Sequence, residues 1–346
     1  MPDISKINAL AIGSVSKVDG LAKTSILDID GVTVPAGWSP PLDLYTGAAA
    51  AYSVRLLRTA YTGDIMRVRR DSDNVEADIG FDSNDEFGLT SPVSNATSGT
   101  YTDFADFIGH GGTPANGFVR YWYDQSGNSL DAPQATAGSQ AKIYDSSTGI
   151  IEDGSVGNEK PALQFAQDGF TAITGSKSDV LFHQAAGGLA MCVVNPTANT
   201  QRFCAIAETN GGGTSNKGFI FGWDDRVSTG ENDYGYYQLT AGTGPTGAMR
   251  AEAEGSFVTG SQSLLAIEYD WDAGIFQYQD GSLLDSFVAS NTPATGDATN
   301  DLSIGSIEGD NTFGLAGTMQ ELILYNAHDA NRTGIETNLN DYYQIF

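Results

Sequence analysis

The chain has 346 residues and a formal net charge of −26, from 43 Asp and Glu against 17 Lys and Arg. So acidic a surface repels phosphate backbones and anionic lipid, which excludes nucleic acid and such membranes as partners. Hydrophobic residues at 40% suffice for a core, and 42 glycines among short apolar runs point to an all-β protein rich in turns.

Three related segments open the sequence: Ser5-Lys6-Ile7-Asn8-Ala9-Leu10-Ala11, Ser16-Lys17-Val18-Asp19-Gly20-Leu21-Ala22 and the looser Leu27-Asp28-Ile29-Asp30-Gly31-Val32-Thr33. Their central apolar residues Ile7, Val18 and Ile29 keep a spacing of 11. Asp19-Gly20 and Asp30-Gly31 are tight-turn pairs, because Asp and Gly tolerate the positive φ of a two-residue hairpin. Each copy therefore reads as strand, turn and strand, too small to bury its own apolar face. Such units are stable only when stacked on neighbours, another chain or a larger body. Residues 1–35 are read as an attachment arm, residues 36–44 as a linker stiffened by Pro35, Pro40 and Pro41, and residues 45–346 as the body. Met1-Pro2-Asp3-Ile4-Ser5 lacks a basic segment followed by an apolar one, so no signal peptide is expected. No run approaches the roughly 20 apolar residues of a membrane-spanning helix.

Two helices are expected in the body. Across Ala48–Tyr61, Tyr52, Leu56 and Ala60 recur by fours, with Arg55 and Arg58 on the other side. Near the C-terminus, Asp329 is placed to cap a helix whose apolar stripe is Ile335, Leu339 and Tyr342. Strands are expected between them. Ile65-Met66-Arg67-Val68-Arg69 alternates, Phe118–Tyr123 is aromatic and β-branched, and Leu189–Val194, Gly218–Trp223, Leu264–Tyr269 and Gly317–Tyr325 read as strands of a core. Gly274–Leu284 carries Asp280-Gly281 at the centre of a hairpin. Asn84–Pro114 reads as an ordered surface loop with a short helix over its Tyr101–Ile108 aromatic patch. The architecture expected is a two-sheet antiparallel sandwich of jelly-roll type with two peripheral helices.

Cys192 and Cys204 are read as buried free thiols, a single disulfide being the alternative. His110, His183 and His328 stand apart with no Cys, His or Ser signature around them. Acidic loops such as Asp71-Ser72-Asp73-Asn74, Asp82-Ser83-Asn84-Asp85 and Asp297–Asp301 hold oxygens that suit Ca²⁺. None has the twelve-residue EF-hand pattern, so solvated turns and no cofactor are expected.

The Asp280-Gly281 hairpin, the strand ending at Tyr325 and the final helix together resemble the concanavalin A-like, laminin-G-like jelly roll. Ala50–Arg58, Ile65–Asp73 and Trp122-Tyr123-Asp124-Gln125-Ser126-Gly127-Asn128 look more specifically like the catalytic domain of family 54 α-L-arabinofuranosidases. The resemblance covers roughly residues 45–346 and implies a retaining mechanism through two carboxylates. It places the acid/base at Asp310, within Gly309-Asp310-Asn311, and the nucleophile at Glu254, within Ala251-Glu252-Ala253-Glu254. Two departures weigh toward a non-catalytic role. The chain has Phe203-Cys204 where the family has two adjacent cysteines under the sugar, and it lacks the family's arabinose-binding module.

The same domain is found in virion proteins of tailed phages, beside repeats like Ser16-Lys17-Val18-Asp19-Gly20, and arm and body together look most like such a protein. That implies a structural protein made in a host cytoplasm and displayed on the virion. It would serve as a capsid decoration or a tail component, and as a homo-oligomer such as a trimer. The arm would bind other virion proteins, and a lectin-like body would meet host glycans. Trp122, Asp124, Asn128 and Trp223 are the ligand-binding candidates. An Asx turn is the competing reading of Asp124–Asn128, with Gly127 at positive φ.

Overall fold

Alternating apolar residues over most of the chain need two layers to cover them, and strands supply both. The computed structural model describes residues 39–166, 185–198, 201–207, 218–224, 260–287, 301–306, 314–327 and 331–346. It also describes the backbone of strand segments Lys17–Val18, Leu21–Ala22, Asp28–Ile29, Val32–Thr33, Phe170–Thr171, Asp233–Leu239 and Met249–Glu254.

The larger sheet runs Ser282–Phe287, Gly274–Gln279, Ser263–Asp270, Gly187–Pro196, Ala316–Tyr325, Leu163–Ala166, Lys142–Asp145, Gly117–Trp122, Met66–Arg70, Glu76–Ile79 and Val93–Ser94. Ala50–Ser53 also pairs with Ala316–Tyr325, opposite its second half. A six-stranded sheet runs Phe170–Thr171, Ser303–Ile304, Gln201–Ala207, Gly218–Asp224, Asp233–Leu239 and Met249–Glu254. Neighbouring strands in both sheets are antiparallel. Cys192, Leu265, Leu322 and Trp122 of the large sheet and Phe203, Cys204, Phe221 and Ile304 of the small one share a single buried core. The molecule is thus an all-β, two-sheet sandwich.

Part of the large sheet is buried on both faces. Along Gly187–Pro196, Ala190, Cys192 and Val194 point into the sandwich core. The intervening Leu189, Met191 and Val193 enter a second cluster with Ile335, Leu339 and Tyr343 of the helix Arg332–Tyr343. This explains a strand that reads as a continuous apolar run and not as an alternation. Both cysteines are free and buried. Burial pushes their thiols up, which leaves them little thiolate at neutral pH.

The hairpin at Asp280-Gly281 forms as expected: φ is +51° at Asp280 and +76° at Gly281, the pair of positive values that a tight hairpin turn of the I′ type demands. The C-terminal helix forms over Arg332–Tyr343. Its N-cap is Asn331, which makes no side-chain cap bond, and Asp329 lies outside the described residues.

The helix expected over Ala48–Tyr61 does not form. Ala50–Ser53 is instead a fully buried strand. Ala50 and Tyr52 point into the sandwich core while Ala51 points into the helix-covered cluster, a period of two. Alanine and the four-residue spacing favour a helix locally, but pairing with Ala316–Tyr325 and burial on both faces outweigh that weak preference. The Asn84–Pro114 segment does carry a short helix, Phe104–Ile108, capped by Asp103, whose side chain accepts the Asp106 N–H. It is no mere surface loop, since Phe87, Phe104 and Phe107 are core residues, with Phe87 packed edge-on against Phe104. A third helix, Pro41–Leu44, buries Pro41 and Leu42.

In the N-terminal segment the pairings repeat with the predicted period. Lys17 lies opposite Ala22 and Val18 opposite Leu21. Eleven residues on, Asp28 lies opposite Thr33 and Ile29 opposite Val32. Among the described residues these two-stranded sheets pair with neither sheet of the body. Ile7, Asp19, Gly20, Asp30 and Gly31 lie outside the described residues.

Candidate functional site

Trp122 ends a strand whose inner face is in the core, and its ring is fully buried, tilted against Tyr52 at 5.7 Å between centroids. Its indole N–H donates to the Ser53 carbonyl at 3.1 Å. Asp124 is 3% exposed. Its Oδ1 accepts the Ala51 and Ser126 N–H groups at 2.9 Å each. Its Oδ2 accepts the Ser126 hydroxyl at 2.7 Å and the Leu130 N–H at 3.0 Å. Gln125 accepts the Leu57 N–H at 2.8 Å and donates to the Arg55 carbonyl at 3.0 Å. Asn128 donates to the Ala49 and Ala48 carbonyls at 2.9 and 3.1 Å. Gly127 adopts φ +97°, and a Cβ there would strike the Arg58 guanidinium.

Trp122, Asp124, Gln125 and Asn128 therefore each grip the chain's own Ala48–Leu57 segment. As ligand-binding candidates Trp122 and Asp124 are corrected: both are buried with their hydrogen bonds made inside the fold, and Trp122 offers no face to a sugar. Asn128 is exposed, with its amide N–H groups held by the Ala48 and Ala49 carbonyls. Gln125, fully buried and central to the clamp, was not singled out from the sequence. A run of four polar side chains following a core strand was the signal, since buried polar atoms must find partners.

Glu254 ends the outermost strand of the small sheet, its backbone opposite Asp233. Trp223 lies on Gly218–Asp224, opposite Gln201 and Tyr234. The side chains of Glu254 and Trp223, and the whole of Asp310, lie outside the described residues, as do His183 and His328. His110 is described; its Nδ1 is 2.8 Å from the Tyr144 hydroxyl. Among the described residues no group of three or more His, Cys, Asp or Glu is disposed to hold a metal ion. Of the acidic loops, Asp73 pairs with Arg70 at 2.7 Å and Asp82 accepts the Asn84 N–H at 2.7 Å.

Two clusters of charge were not legible beforehand. The first is buried between the large sheet and the C-terminal helix. Arg55 meets Glu321 through two parallel bonds, Nε to Oε2 at 2.8 Å and Nη2 to Oε1 at 3.1 Å, with both side chains essentially unexposed. Ser53 and Tyr343 hydroxyls donate to the same carboxylate at 3.0 and 2.9 Å. The guanidinium lies 4.3 Å from the centroid of Tyr342.

The second cluster lies on the outer face of the large sheet. Register places Arg67 between Asp78 and Tyr121, and Arg69 between Glu76 and Phe118. Arg67 pairs with Glu76 at 2.9 Å and Asp78 at 2.8 Å, and the Tyr123 hydroxyl donates to Asp78 at 2.7 Å. Arg120 reaches this face across a bulge and lies 4.6 Å from the Tyr121 centroid. Tyr121 and Tyr123 are half-buried, their rings stacked at 6.0 Å and 20°.

At the rim of this face Asp64 sits above the ordinary carboxylate range, because burial and then Asp78 disfavour its charge, against a weaker opposing bond from Ser94. A raised carboxylate favours folding in its protonated form, so its contribution is present at low pH and is lost as pH rises through the folded value. Replacing Asp64 with Asn should therefore flatten that part of the profile. In thermal melts from pH 3.5 to 7, the variant should gain stability relative to wild type as pH rises; parallel curves would refute the assignment.

No family model matches the chain, and no curated protein does. Solved structures do. A GH54 α-L-arabinofuranosidase soaked with a cyclic sulfate inhibitor is similar at a TM-score of 0.57 and 17% identity, over 89% of this chain and 66% of that one. An arabinofuranosidase complexed with arabinofuranosyl-α-1,2-xylobiose gives 0.55 and 16%, over 89% of this chain and 65% of that one. This chain thus spans just under two thirds of the length of those enzymes. At such identity the likeness establishes the fold they share, and function must be argued from sites.

Proposed function

We propose that the chain is a non-enzymatic structural protein displayed on the surface of a phage particle, anchored by its N-terminal repeats with the sandwich as its outward body. The observation that supports this reading is the pair of hairpins with identical register eleven residues apart, whose two-stranded sheets, among the described residues, pair with neither sheet of the body. Isolated two-stranded hairpins are marginal in water, and strand addition to a partner would supply the missing neighbours. The partner is a capsid or tail protein, or sister copies in a trimer. No cofactor is required for such a role. A net charge of −26 suits a module that must stay soluble and stand off packaged DNA.

The test is deletion of residues 1–35, followed by gradient sedimentation with particles from an infected host. The shortened protein should melt like the full chain yet fail to travel with particles. Unchanged association would remove the arm from the mechanism and with it the reason for this reading. The rival is a retaining arabinofuranosidase, favoured by the fold alone. It predicts hydrolysis of 4-nitrophenyl α-L-arabinofuranoside by the full chain and its loss in Asp310→Asn.

A further inference from the structure

The C-terminal helix Arg332–Tyr343 covers part of the outer side of the large sheet, over Leu189, Met191, Leu264, Ala266 and Ile323. Elsewhere on that side Arg67, Phe118 and Tyr121 stay partly exposed. A charge cluster lies under the covered part. Glu268 stands opposite Leu189 in register, so its side chain rises on the face that the helix covers. Arg332 and Glu336 meet it from the helix, one turn apart. Arg332 is bonded to Glu336 Oε2, and its Nε lies 3.7 Å from Glu268 Oε2. Its guanidinium also lies over the Tyr278 ring, 3.5 Å from the centroid.

We infer that Arg332, Glu268 and Glu336 form a proton-dependent latch, which holds the C-terminal helix on the sheet in acid and loosens it as pH rises. Three observations carry it. Two carboxylates share one guanidinium, so with both ionised one negative charge is unmatched within the cluster. Both are buried, Glu336 at 3% exposure and Glu268 at 8%, where an unmatched charge is costly. Glu336 Oε1 has no hydrogen-bond partner among the described residues to stabilise that charge. Burial accordingly pushes the Glu336 carboxyl above its ordinary range; Arg332 opposes this and Glu268 adds to it. A group raised on docking stabilises the docked helix at low pH, and the contribution is lost as pH rises through the docked value. The other groups packed around the helix are engaged elsewhere. Asp43 of the helix Pro41–Leu44 accepts the Thr59 N–H at 3.1 Å, and Tyr325 donates to the Tyr45 carbonyl at 2.6 Å. The Tyr45 ring packs at Gly334, Glu321 is bonded to Arg55, and Glu86 accepts the Tyr342 hydroxyl. Asp341 on the helix is exposed.

The test follows amide exchange of the full chain between pH 4 and pH 8, corrected for the intrinsic rate at each pH. The opening constant of Arg332–Tyr343, taken relative to that of Gly187–Pro196, should rise at least about fivefold and then level off. Glu336→Gln cannot ionise, and it should hold the ratio within about twofold across the range. Glu268→Gln leaves Arg332 to Glu336 alone and should cut the rise at least by about half, which keeps the inference testable if Glu336→Gln does not fold. A wild-type ratio that stays flat overturns the inference. So does a rise that either variant retains in full.

Discussion

Replacing Glu321 with Ala should destabilise the protein by about 3–5 kcal/mol, the usual cost of leaving one partner of a buried ion pair without the other. Arg55 is 1% exposed and cannot reach water without opening the contact between sheet and helix. The same carboxylate also accepts from Ser53 and Tyr343, so the mutation removes the acceptor of four donor groups on three side chains at once. Tyr343 belongs to the C-terminal helix, and its hydroxyl ties that helix to the sheet. Urea unfolding should show a lower midpoint, with hydrogen exchange rising first in Arg332–Tyr343. Arg55→Met combined with Glu321→Leu should recover most of the loss, because removing both charges also removes the desolvation penalty. A single Glu321→Ala variant that unfolds within 1 kcal/mol of wild type would show that the pair does not hold the helix.

The second large effect is expected at Asp124. Its carboxylate accepts four hydrogen bonds, two from Ser126 and one each from the backbone of Ala51 and Leu130. Asp124→Ala leaves those donors unpaired in a buried setting, at about 1–3 kcal/mol each where water cannot enter. The total should exceed 3 kcal/mol, on the same scale as the Glu321 variant, with the loss centred on Ala50–Ser53. Asp124→Asn should cost less, since one amide oxygen still accepts. If Asp124→Ala instead melts like wild type and alters only glycan binding, the clamp is not structural.

These two sites show where sequence reading succeeds and where it stops. Asp124–Asn128 is a local arrangement: the Asx turn, the positive φ at Gly127 and the serine between them lie within five residues, and turn chemistry alone suggests them. What the clamp holds lies some 70 residues away and was not visible. Arg55 and Glu321 are 266 positions apart, and nothing near either residue announces the other. Likewise Phe118–Tyr123 reads as an aromatic and β-branched strand, but that Val119 and Trp122 would enter the core shared with Phe203 and Phe221 depended on a segment far along the chain.

The amino-acid sequence by itself determined the all-β character, the Asp280-Gly281 hairpin, the eleven-residue period of the arm and the strands around Leu189–Val194 and Leu264–Tyr269. Each rests on interactions within a few residues: backbone φ at a turn, or the periodicity with which apolar side chains recur. Tertiary structure decided that Ala50–Ser53 is a strand, that Trp122 and Asp124 serve the fold, and that one half of the large sheet stays open. Those outcomes turn on which distant segment covers a residue and which distant donor meets its carboxylate. A residue's own small preference for helix or strand is a fraction of a kcal/mol, and burial against a partner far along the chain is worth more.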